Sequence, residues 1–393
     1  MMKKRFQNFW LAAAFFLLIL LGIIMVYSAS AFYAQQYFGD HFYFLKRHLT
    51  WLFLGLIGMA AAYSLPYKKL QGHTWILLLI SLALLIYTAF IHRGRWVYIG
   101  PIHFQAVDVA KFSLILFFAD SLSRKEKILG SYGQGVFPHL FYVALFSFLV
   151  LLQPNFSSAA MIILIGITML FAAPTRVWHL ALTGLMFIPA LAAAAVISPY
   201  KMRRVLSFLN PESDIQGAGY QVYQSLVSLG QGGITGVGFA QSTQKMFFLP
   251  EAHTDFIFAI IGEEWGLVGA LTVVALFGVI LVQGVRIARR STDRFEVYLA
   301  VGVTAHFVYY ATINMMVTLR LIPATGLPMP FISYGGTALL FSCIYAGMLL
   351  RLAGQVSGRV AANRVPWKER SLRSLRMPKF NYLPRERRGR DKK

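Results

Sequence analysis

Asp255 is the residue of this sequence whose position most clearly suggests acid–base chemistry. It ends a polar segment and directly precedes an apolar run that is long enough to form a membrane helix, and Glu263 and Glu264 follow within that run. Carboxylates at such positions are costly unless they line a polar cavity or find partners. The pattern therefore predicts a functional acid at Asp255, and its alternative role is an N-cap of the following helix.

Basic residues near the predicted helix ends indicate a ligand that carries phosphate. Lys and Arg side chains bind phosphate oxygens through charge-assisted hydrogen bonds. Snorkelling at the membrane interface is the alternative for many of them, and Lys111, three residues after Asp108, is expected to form an internal ion pair with it. The residues concerned are Lys46, Arg47, Arg93, Arg95, Lys111, Arg203, Arg204, Lys245 and Arg320.

Other patterns argue against nucleotide, metal and disulfide chemistry. The glycine-rich stretch 230–238 matches neither the dinucleotide nor the P-loop motif, so tight turns or a close approach of the backbone are expected there. The spacing of Glu251, His253 and Asp255 matches no strong metal-ligand signature. The single cysteine, Cys343, can form neither an internal disulfide nor a thiolate metal site, and it is predicted to be a small buried side chain.

The elements that must hold these residues are membrane helices. Of the 393 residues, 57% are hydrophobic and only 13% are charged, whereas soluble domains have about 25% charged residues. A helix needs about 20 apolar residues to cross a bilayer, so the sequence predicts an all-α integral membrane protein with about ten transmembrane helices. They are predicted near residues 10–31, 48–64, 73–91, 106–122, 138–152, 156–173, 178–198, 256–285, 295–317 and 337–354.

The charge distribution predicts the orientation of these helices. Ten helices place both termini on one side, and that side carries 27 of the 37 Lys and Arg residues, so both termini are predicted to be cytoplasmic. Residues 1–355 then form one membrane domain. Residues 356–393 form a basic cytoplasmic tail that is predicted to be disordered and to lie against anionic membrane lipids. The tail has no compact nucleic-acid-binding motif, so no nucleic-acid partner is expected.

Two connections on the outer side are unusual. The extracytoplasmic segment 199–254, between the seventh and eighth helices, is long, and its amphipathic stretch 222–227 favours an ordered structure. The segment 323–337 carries three prolines and three glycines, so it cannot be a regular span. We expect an irregular outer loop that partly re-enters the membrane, where such backbone must be buried in protein or line a cavity.

Many motifs of this chain resemble those of the SEDS (shape, elongation, division and sporulation) family, from the first helix to about Arg351. Residues 241–245 resemble the division members more than the elongation members. Two family motifs are altered, because Asp108 stands where the family has glutamate and Asn155 where it has aspartate. The matching segments are 27–30, 44–47, 219–226, 230–238, 249–258, 262–264 and 314–336.

This resemblance implies a function. Members of the family polymerise lipid II, an undecaprenyl-pyrophosphate-linked disaccharide, into glycan strands outside the membrane, as inverting glycosyltransferases without a nucleotide-sugar donor. Asp255 matches the essential aspartate of the family, which implies the role of general base. The pyrophosphate leaving group needs cations. The residues expected to contact the substrate are Lys46, Arg47, Lys111, Arg204, Lys245, Glu251, His253 and Ser333.

The same resemblance implies partners, namely a class B penicillin-binding protein (a transpeptidase) and other division proteins, at the septum of the inner membrane. The single transmembrane helix of the transpeptidase is expected against the eighth and ninth helices, where Gly269 and Gly278 permit close approach. No cofactor is implied, and a divalent cation is left open. A lipid II flippase and a division scaffold without activity are the alternatives. Transport would favour charged residues through the full depth of the bundle, but here they concentrate near the outer side.

The predicted orientation can be tested by labelling cysteines in intact cells. Because segment 199–254 is predicted outside and the tail inside, a Ser213→Cys probe should react with a membrane-impermeant maleimide and a Ser371→Cys probe should not. The unmodified chain, whose single cysteine lies in an apolar run, measures the background. The reverse labelling pattern would contradict the orientation.

Overall fold

The computed structural model of the chain is a bundle of helices. It describes residues 2–363, except for residues 93, 101, 180 and 247 and most of the segment 186–217. Two short strands are β1 (Trp96–Ile99) and β2 (Ile102–Gln105), and π-helical turns occur at Tyr87–Ile91 and Tyr132–Val136. The helices are α1 (Met2–Phe38), α2 (Tyr43–Ser64), α3 (Tyr67–Leu70), α4 (Thr74–Ile86), α5 (Ala106–Arg124), α6 (Phe137–Leu152), α7 (Phe156–Ala172), α8 (Ala218–Gly232), α9 (Ile257–Arg290), α10 (Arg294–Thr318) and α11 (Gly336–Asn363).

The predicted membrane helices are present wherever the structure describes them. Nine of the ten predicted segments coincide with helices, and the seventh, 178–198, lies mostly outside the described residues. Six helices in the described part are long and apolar enough to cross a membrane. Large apolar side chains such as Phe16, Phe53 and Leu79 stay exposed on the bundle surface, as a lipid environment allows. The all-α membrane class is therefore confirmed.

Two elements lie outside the predicted helices. Strands β1 and β2 form an antiparallel hairpin in which Trp96 pairs with Gln105, and the alternating aromatic and aliphatic residues of β1 are a short-strand signal. Helix α8 lies inside the long segment 199–254. The presence of α8 confirms that the segment is ordered there. Its amphipathic pattern provides an apolar face that packs along α9.

Helix α9 is interrupted at Gly266, where the loop after α8 enters its hydrogen-bond ladder. Gly266 has φ 65° and ψ −159°. In an unbroken helix the amides of residues 267 and 268 would bond to the carbonyls of residues 263 and 264. Here the two amides donate to the carbonyls of residues 233 and 234, at 2.9 and 3.2 Å, and the two carbonyls accept from the amides of residues 237 and 238, at 2.9 and 3.1 Å. The loop thus satisfies all four groups that the break exposes.

The glycine-rich stretch makes this exchange sterically feasible. A Cβ at Gly236 would lie 2.1 Å from the carbonyl oxygen of Glu264, and a Cβ at Gly266 would lie 2.4 Å from the amide nitrogen of Gly236. Only glycine permits such contacts between two backbones. The expectation of a close backbone approach at residues 230–238 is confirmed, and the neighbour is the α9 backbone.

A buried carboxylate in α9 fastens the same loop. The oxygens of Glu263 accept hydrogen bonds from the Ser242 hydroxyl (2.7 Å), the Ser228 hydroxyl (3.1 Å) and the Thr243 amide (2.8 Å). A carboxylate inside the bundle needs such donors, because it has lost its water. The expectation that the acids of this helix find partners is confirmed for Glu263.

Helix α11 packs along α2 through small residues. A Cβ at Gly55 would lie 2.9 Å from the sulfur of Cys343, and Cys343 is buried and free of disulfides, as predicted. Helix α11 continues to Asn363, past the predicted end of the membrane domain at residue 355. The reason is that no proline interrupts the chain before Pro366. Residues 364–393, which are most of the predicted tail, lie outside the described residues.

Replacing Gly266 by alanine should destabilise the protein. The positive φ and the short contacts with the loop should together lower the free energy of unfolding by about 2 kcal/mol or more. The matched control is Gly278→Ala in the same helix, where no atom lies within 4 Å of the added carbon. That change should be neutral, or stabilising by up to about 1 kcal/mol. Thermal unfolding of the purified chains in detergent measures both, and equal melting temperatures would contradict the role of the break.

Candidate active site

The backbone at Asp255 is held by three consecutive carbonyl groups. The carbonyl oxygens of residues 253, 254 and 255 accept hydrogen bonds, in that order, from the Tyr334 amide (2.9 Å), the Ser333 hydroxyl (2.5 Å) and the Asn314 side-chain amide (2.8 Å). These donors belong to α10 and to the irregular segment before α11, which is largely buried, as predicted. Tertiary contacts rather than a helix therefore fix the position of Asp255.

The alternative role of Asp255 as a helix cap is wrong. Helix α9 begins at Ile257 and its N-cap is Phe256, which makes no side-chain capping bond. Asp255 lies in the turn before that residue. Its side chain is thus not used to start the helix, and it does not share a helix face with Glu263.

The Asp255 carboxylate is partly buried and keeps its acceptor atoms open. Among the described residues, none donates a hydrogen bond to its oxygens or forms an ion pair with it. Burial and, to a lesser extent, the negative charge of Glu251 raise the pKa of this carboxyl, the positive charge of Arg204 opposes the rise, and the resulting pKa is about 6. The group is therefore ionised at neutral pH and has the affinity for a proton that a general base needs.

Glu251 and His253 shape the turn that precedes the carboxylate. Glu251 has φ 56°, and its Oε2 accepts a hydrogen bond from the Thr254 hydroxyl at 2.8 Å. The His253 ring packs against the rings of Phe44 and Tyr334, with centroids 4.6 and 5.8 Å apart. Burial lowers the pKa of His253 and Glu251 partly offsets this, so the ring is neutral at neutral pH. No group of three or more His, Cys, Asp or Glu side chains in the described part is placed to hold a metal ion.

A cleft with two arginines adjoins the carboxylate. Arg204 donates to the carbonyl oxygen of Ala324 at 2.9 Å, and its charge lowers the pKa of Asp255, which places it near that group. Arg320 and Tyr223 line the same cleft, which has a volume of about 300 Å³. Guanidinium groups in a concave site match the geometry of phosphate oxygens. Among the predicted cations, Arg204 is thus the one that the structure brings to Asp255.

Lys46 and Arg47 lie at the beginning of α2, on an exposed rim. Lys46 forms an ion pair with Asp40 at 2.8 Å. The Arg47 guanidinium lies 4.8 Å from the centre of the Tyr43 ring. Burial raises the pKa of the Tyr334 hydroxyl and the charge of Arg47 opposes the rise, so Arg47 lies close to the residue whose amide holds the turn. Both cations stay accessible to a ligand at this rim.

Lys245 is engaged elsewhere. Its buried ammonium group forms an ion pair with Glu264 at 2.8 Å and donates to the Ser28 hydroxyl at 3.1 Å, while Ser28 donates to Glu264 at 2.6 Å. Removing one member of such a pair leaves an uncompensated buried charge. Lys245 therefore holds its loop against α1 and α9, and its contact with the pyrophosphate stays a prediction.

Lys111 forms the expected ion pair with Asp108, at 2.8 Å, and both side chains are buried. Thr337 donates to Asp108 at 2.9 Å, and Lys111 also hydrogen-bonds with the Tyr310 hydroxyl. The pair lines a pocket together with Ser333, the residue that holds the carbonyl of residue 254. Lys111 thus approaches the site from inside the bundle rather than from the rim.

Known proteins are similar to this chain over nearly its whole length. Residues 8–358 match the model of the FtsW, RodA and SpoVE family of cell cycle proteins. The chain belongs to this family. It is 37% identical over 354 residues to "Probable peptidoglycan glycosyltransferase FtsW" of Coxiella burnetii, covering 88% of this chain and 95% of the relative. It is 35% identical over 358 residues to stage V sporulation protein E of Bacillus subtilis, covering 89% and 98%. The SEDS resemblance is confirmed.

Solved structures show that this FtsW/RodA/SpoVE protein has the fold of its relatives. A chain from a peptidoglycan synthase complex, described as coordinating polymerization and crosslinking, matches with a TM-score of 0.70 at 25% identity, covering 88% of this chain and 97% of that chain. The rod shape determining protein RodA of Thermus thermophilus matches with a TM-score of 0.64 at 23% identity, covering 89% and 96%.

Two site residues of this family member, Asn314 and Tyr334, are absent from the predicted set. The Asn314 amide also donates to the carbonyl oxygen of Leu327 at 2.9 Å, so it joins α10 to two loops. A signal for Asn314 exists, because an amide inside an apolar helix must find a partner. Tyr334 has no such signal, since the bond that matters comes from its backbone amide.

Proposed function

We propose that the protein is a peptidoglycan polymerase. It is an inverting glycosyltransferase that joins lipid II units into glycan strands on the outer face of the cytoplasmic membrane during cell division. The observation that carries this proposal is the open Asp255 carboxylate, which is held only by its backbone, has a pKa of about 6 and adjoins a cleft with arginines. The relatives named peptidoglycan glycosyltransferase FtsW support the reaction.

Asp255 acts as the general base. One carboxylate oxygen accepts the proton of the acceptor's sugar hydroxyl while the hydroxyl oxygen forms its bond to the anomeric carbon of the donor sugar. The bond from that carbon to the pyrophosphate breaks, and the electron pair leaves with the pyrophosphate. Attack opposite the leaving group inverts the anomeric configuration. A positioned base typically accelerates such a step by about 10²–10⁴.

The cations of the chain stabilise the leaving group. Arg204, whose charge acts on the Asp255 carboxyl, receives the developing negative charge of the pyrophosphate in its cleft. Arg47 and Lys46 offer further contacts at the rim, and Lys111 holds the inner cavity. Ser333 acts through the backbone, as do Glu251 and His253, so these three are positioning residues.

The environment of the acids favours the transferase over the flippase and the scaffold. An open carboxylate with a raised pKa serves proton transfer, which a scaffold does not require. Asp120, the acid near the other end of α5, accepts hydrogen bonds from Thr74 (2.9 Å) and Gly72 (3.0 Å) and pairs with Arg124 (2.6 Å). It is thus engaged in packing rather than free to take part in a transport path.

The proposal places both termini in the cytoplasm and the protein at the division septum. Asp255 directly precedes α9, and the basic residues Arg286, Arg289 and Arg290 lie at the far end of the same helix. A bilayer around α9 would therefore separate the site from the basic end, which the positive-inside rule assigns to the cytoplasm. The match to a peptidoglycan synthase complex supports a class B penicillin-binding protein as partner.

The partner's transmembrane helix has an exposed apolar face of α9 to dock on. Leu267 and Leu271 are 52% and 56% exposed. Gly278 is open, with no atom within 4 Å of a Cβ position, whereas a Cβ at Gly269 would lie 2.3 Å from the Trp265 side chain. Of the two glycines expected to admit the partner, Gly278 supports the proposal, and Gly269 serves packing within the chain.

Gly278→Leu should weaken co-purification with the penicillin-binding protein by about tenfold, because a bulky side chain at a close helix contact overpacks it. The activity of the complex should fall in parallel. The matched control is Gly184→Leu, another glycine with open space around its Cβ position, outside α9 and α10. If both variants retained the partner equally, the docking face would be wrong.

Asp255→Asn should nearly abolish glycan synthesis from purified lipid II by the purified chain and its partner. The amide keeps the shape of the side chain but cannot accept the proton, so the rate should fall by about 10²–10⁴. Thermal unfolding and partner binding should be retained, because no described residue bonds to this carboxylate. Asp293→Asn, a change of the same kind at the start of α10, where asparagine can still accept the hydrogen bond that caps the helix, is the control and should retain most of the activity.

Two results would overturn the transferase. One is robust polymerisation by Asp255→Asn, and the other is no polymer from a folded, partner-bound wild-type chain. In the second case, lipid II translocation in vesicles would identify a flippase. Cell division supported by the Asp255→Asn variant would identify a scaffold.

The rate should rise with pH through about 6, because the base works only in its ionised form. Burial and the charge of Glu251 raise the pKa of Asp255 and the charge of Arg204 lowers it. The midpoint of kcat/KM should therefore move to lower pH in Glu251→Gln and to higher pH in Arg204→Gln. Asp293→Asn should leave the midpoint in place. An unshifted midpoint in Glu251→Gln would argue that another group is titrating.

A further inference from the structure

We infer that the chain binds the phosphate group of an anionic phospholipid at the end of the bundle opposite Asp255. The site is a cleft between the beginning of α1 and the ends of α9 and α11. It combines a polar side with an apolar floor. The polar side is formed by Gln283, Arg286, Arg290 and Ser357, and the floor by Leu11, Ile287, Ala353 and Val356.

The two arginines present a fork of donors on one helical face. Arg286 and Arg290 are four residues apart, so their side chains are neighbours along α9. No carboxylate among the described residues pairs with Arg286. Two guanidinium groups side by side are suited to the oxygens of one phosphate. Cations near the end of a helix also suit its dipole, so the arginines alone do not establish a ligand.

Gln283 supplies the second and independent observation. Its side chain is only 7% exposed, it lines the cleft, and no described residue hydrogen-bonds to its amide. The amide atoms keep contact with the open cleft rather than being enclosed by protein, and the helix dipole gives no reason for an amide at this place. Its N–H groups can donate to the phosphate oxygens that the arginines hold. A side chain placed in this way is expected where a ligand supplies the hydrogen-bond acceptor that the protein lacks.

The surroundings favour a lipid over a free anion. The cleft lies between helices whose outer surfaces are apolar, and its floor is apolar as well. Leu281, Val282 and Val285 are 42%, 47% and 38% exposed on α9 beside it, so an acyl chain can continue along the helix from a phosphate in the cleft. Basic pockets between membrane helices bind lipid headgroups in this way. This inference does not depend on the proposed polymerase activity.

The test is a lipid titration of the purified full-length chain in detergent, read by native mass spectrometry. Phosphatidylglycerol and phosphatidylcholine with the same acyl chains are compared, and phosphatidylglycerol should be retained preferentially. Removing an arginine near a lipid phosphate should weaken binding about fivefold, so Arg286→Gln with Arg290→Gln should weaken it by roughly 25-fold. The control is Arg289→Gln, which removes one charge from the same turn at a residue that does not line the cleft, and it is compared with the single variant Arg286→Gln.

Gln283→Leu tests the cleft without changing the charge, and it should weaken phosphatidylglycerol binding about fivefold while the melting temperature shows that the chain is folded. Excess inorganic phosphate should not displace the lipid. Three results would overturn the inference. If Arg289→Gln weakened binding as much as Arg286→Gln, the lipid would be held by diffuse surface charge. If inorganic phosphate displaced the lipid fully, the site would bind a free anion, and equal retention of the two lipids would show no preference for an anionic headgroup.

Discussion

The hydrogen bonds to the carbonyl groups of residues 253–255 are the constraint on which the site depends. Two irregular segments meet there inside a bundle that excludes water, and their backbone groups have to satisfy each other. Asn314, Ser333 and Tyr334 each donate to one of these carbonyls. Because the backbone alone is held, the Asp255 carboxylate has a fixed position and yet keeps its oxygens for a substrate. A capping role would have used up those oxygens.

The three acids between residues 255 and 264 show how surroundings decide the role of a carboxylate. Glu263 accepts from two hydroxyls and an amide, and Glu264 pairs with Lys245, so both are bound to the loop that breaks α9. Each is a fully compensated buried charge, which is the condition for stability in a medium of low polarity. Asp255 lacks such partners among the described residues, and burial together with the charge of Glu251 raises its pKa. The paired acids build the scaffold that keeps the unpaired one in place.

The break in α9 connects the site to the surface of the bundle. The loop that satisfies the broken ladder follows α8 and leads into the turn of residues 251–255. The apolar face that begins at Leu267 lies directly after the break. A helix that docks on this face would contact the segment whose backbone is exchanged with the loop. The fold thus places an exposed apolar surface and the Asp255 carboxylate on two sides of the break in α9.

The sequence by itself determined the membrane class, because composition and long apolar runs leave no other fold open, and it predicted nine helices where the structure describes them. It also predicted the Asp108–Lys111 pair, since residues three apart on one helix are neighbours whatever surrounds them. The motif around Asp255 indicated the family, and the family model confirms it.

Tertiary structure decided what each charged residue does. Lys245 and Arg204 read alike in sequence, but one is buried against Glu264 and the other lies near Asp255. The bonds from Asn314 and Tyr334 to the turn span 59 and 81 residues, and no local pattern encodes contacts at such separation. Helix periodicity predicts which face of a helix a residue occupies. The partner of a buried charge depends instead on which other helix or loop packs beside it in the folded chain.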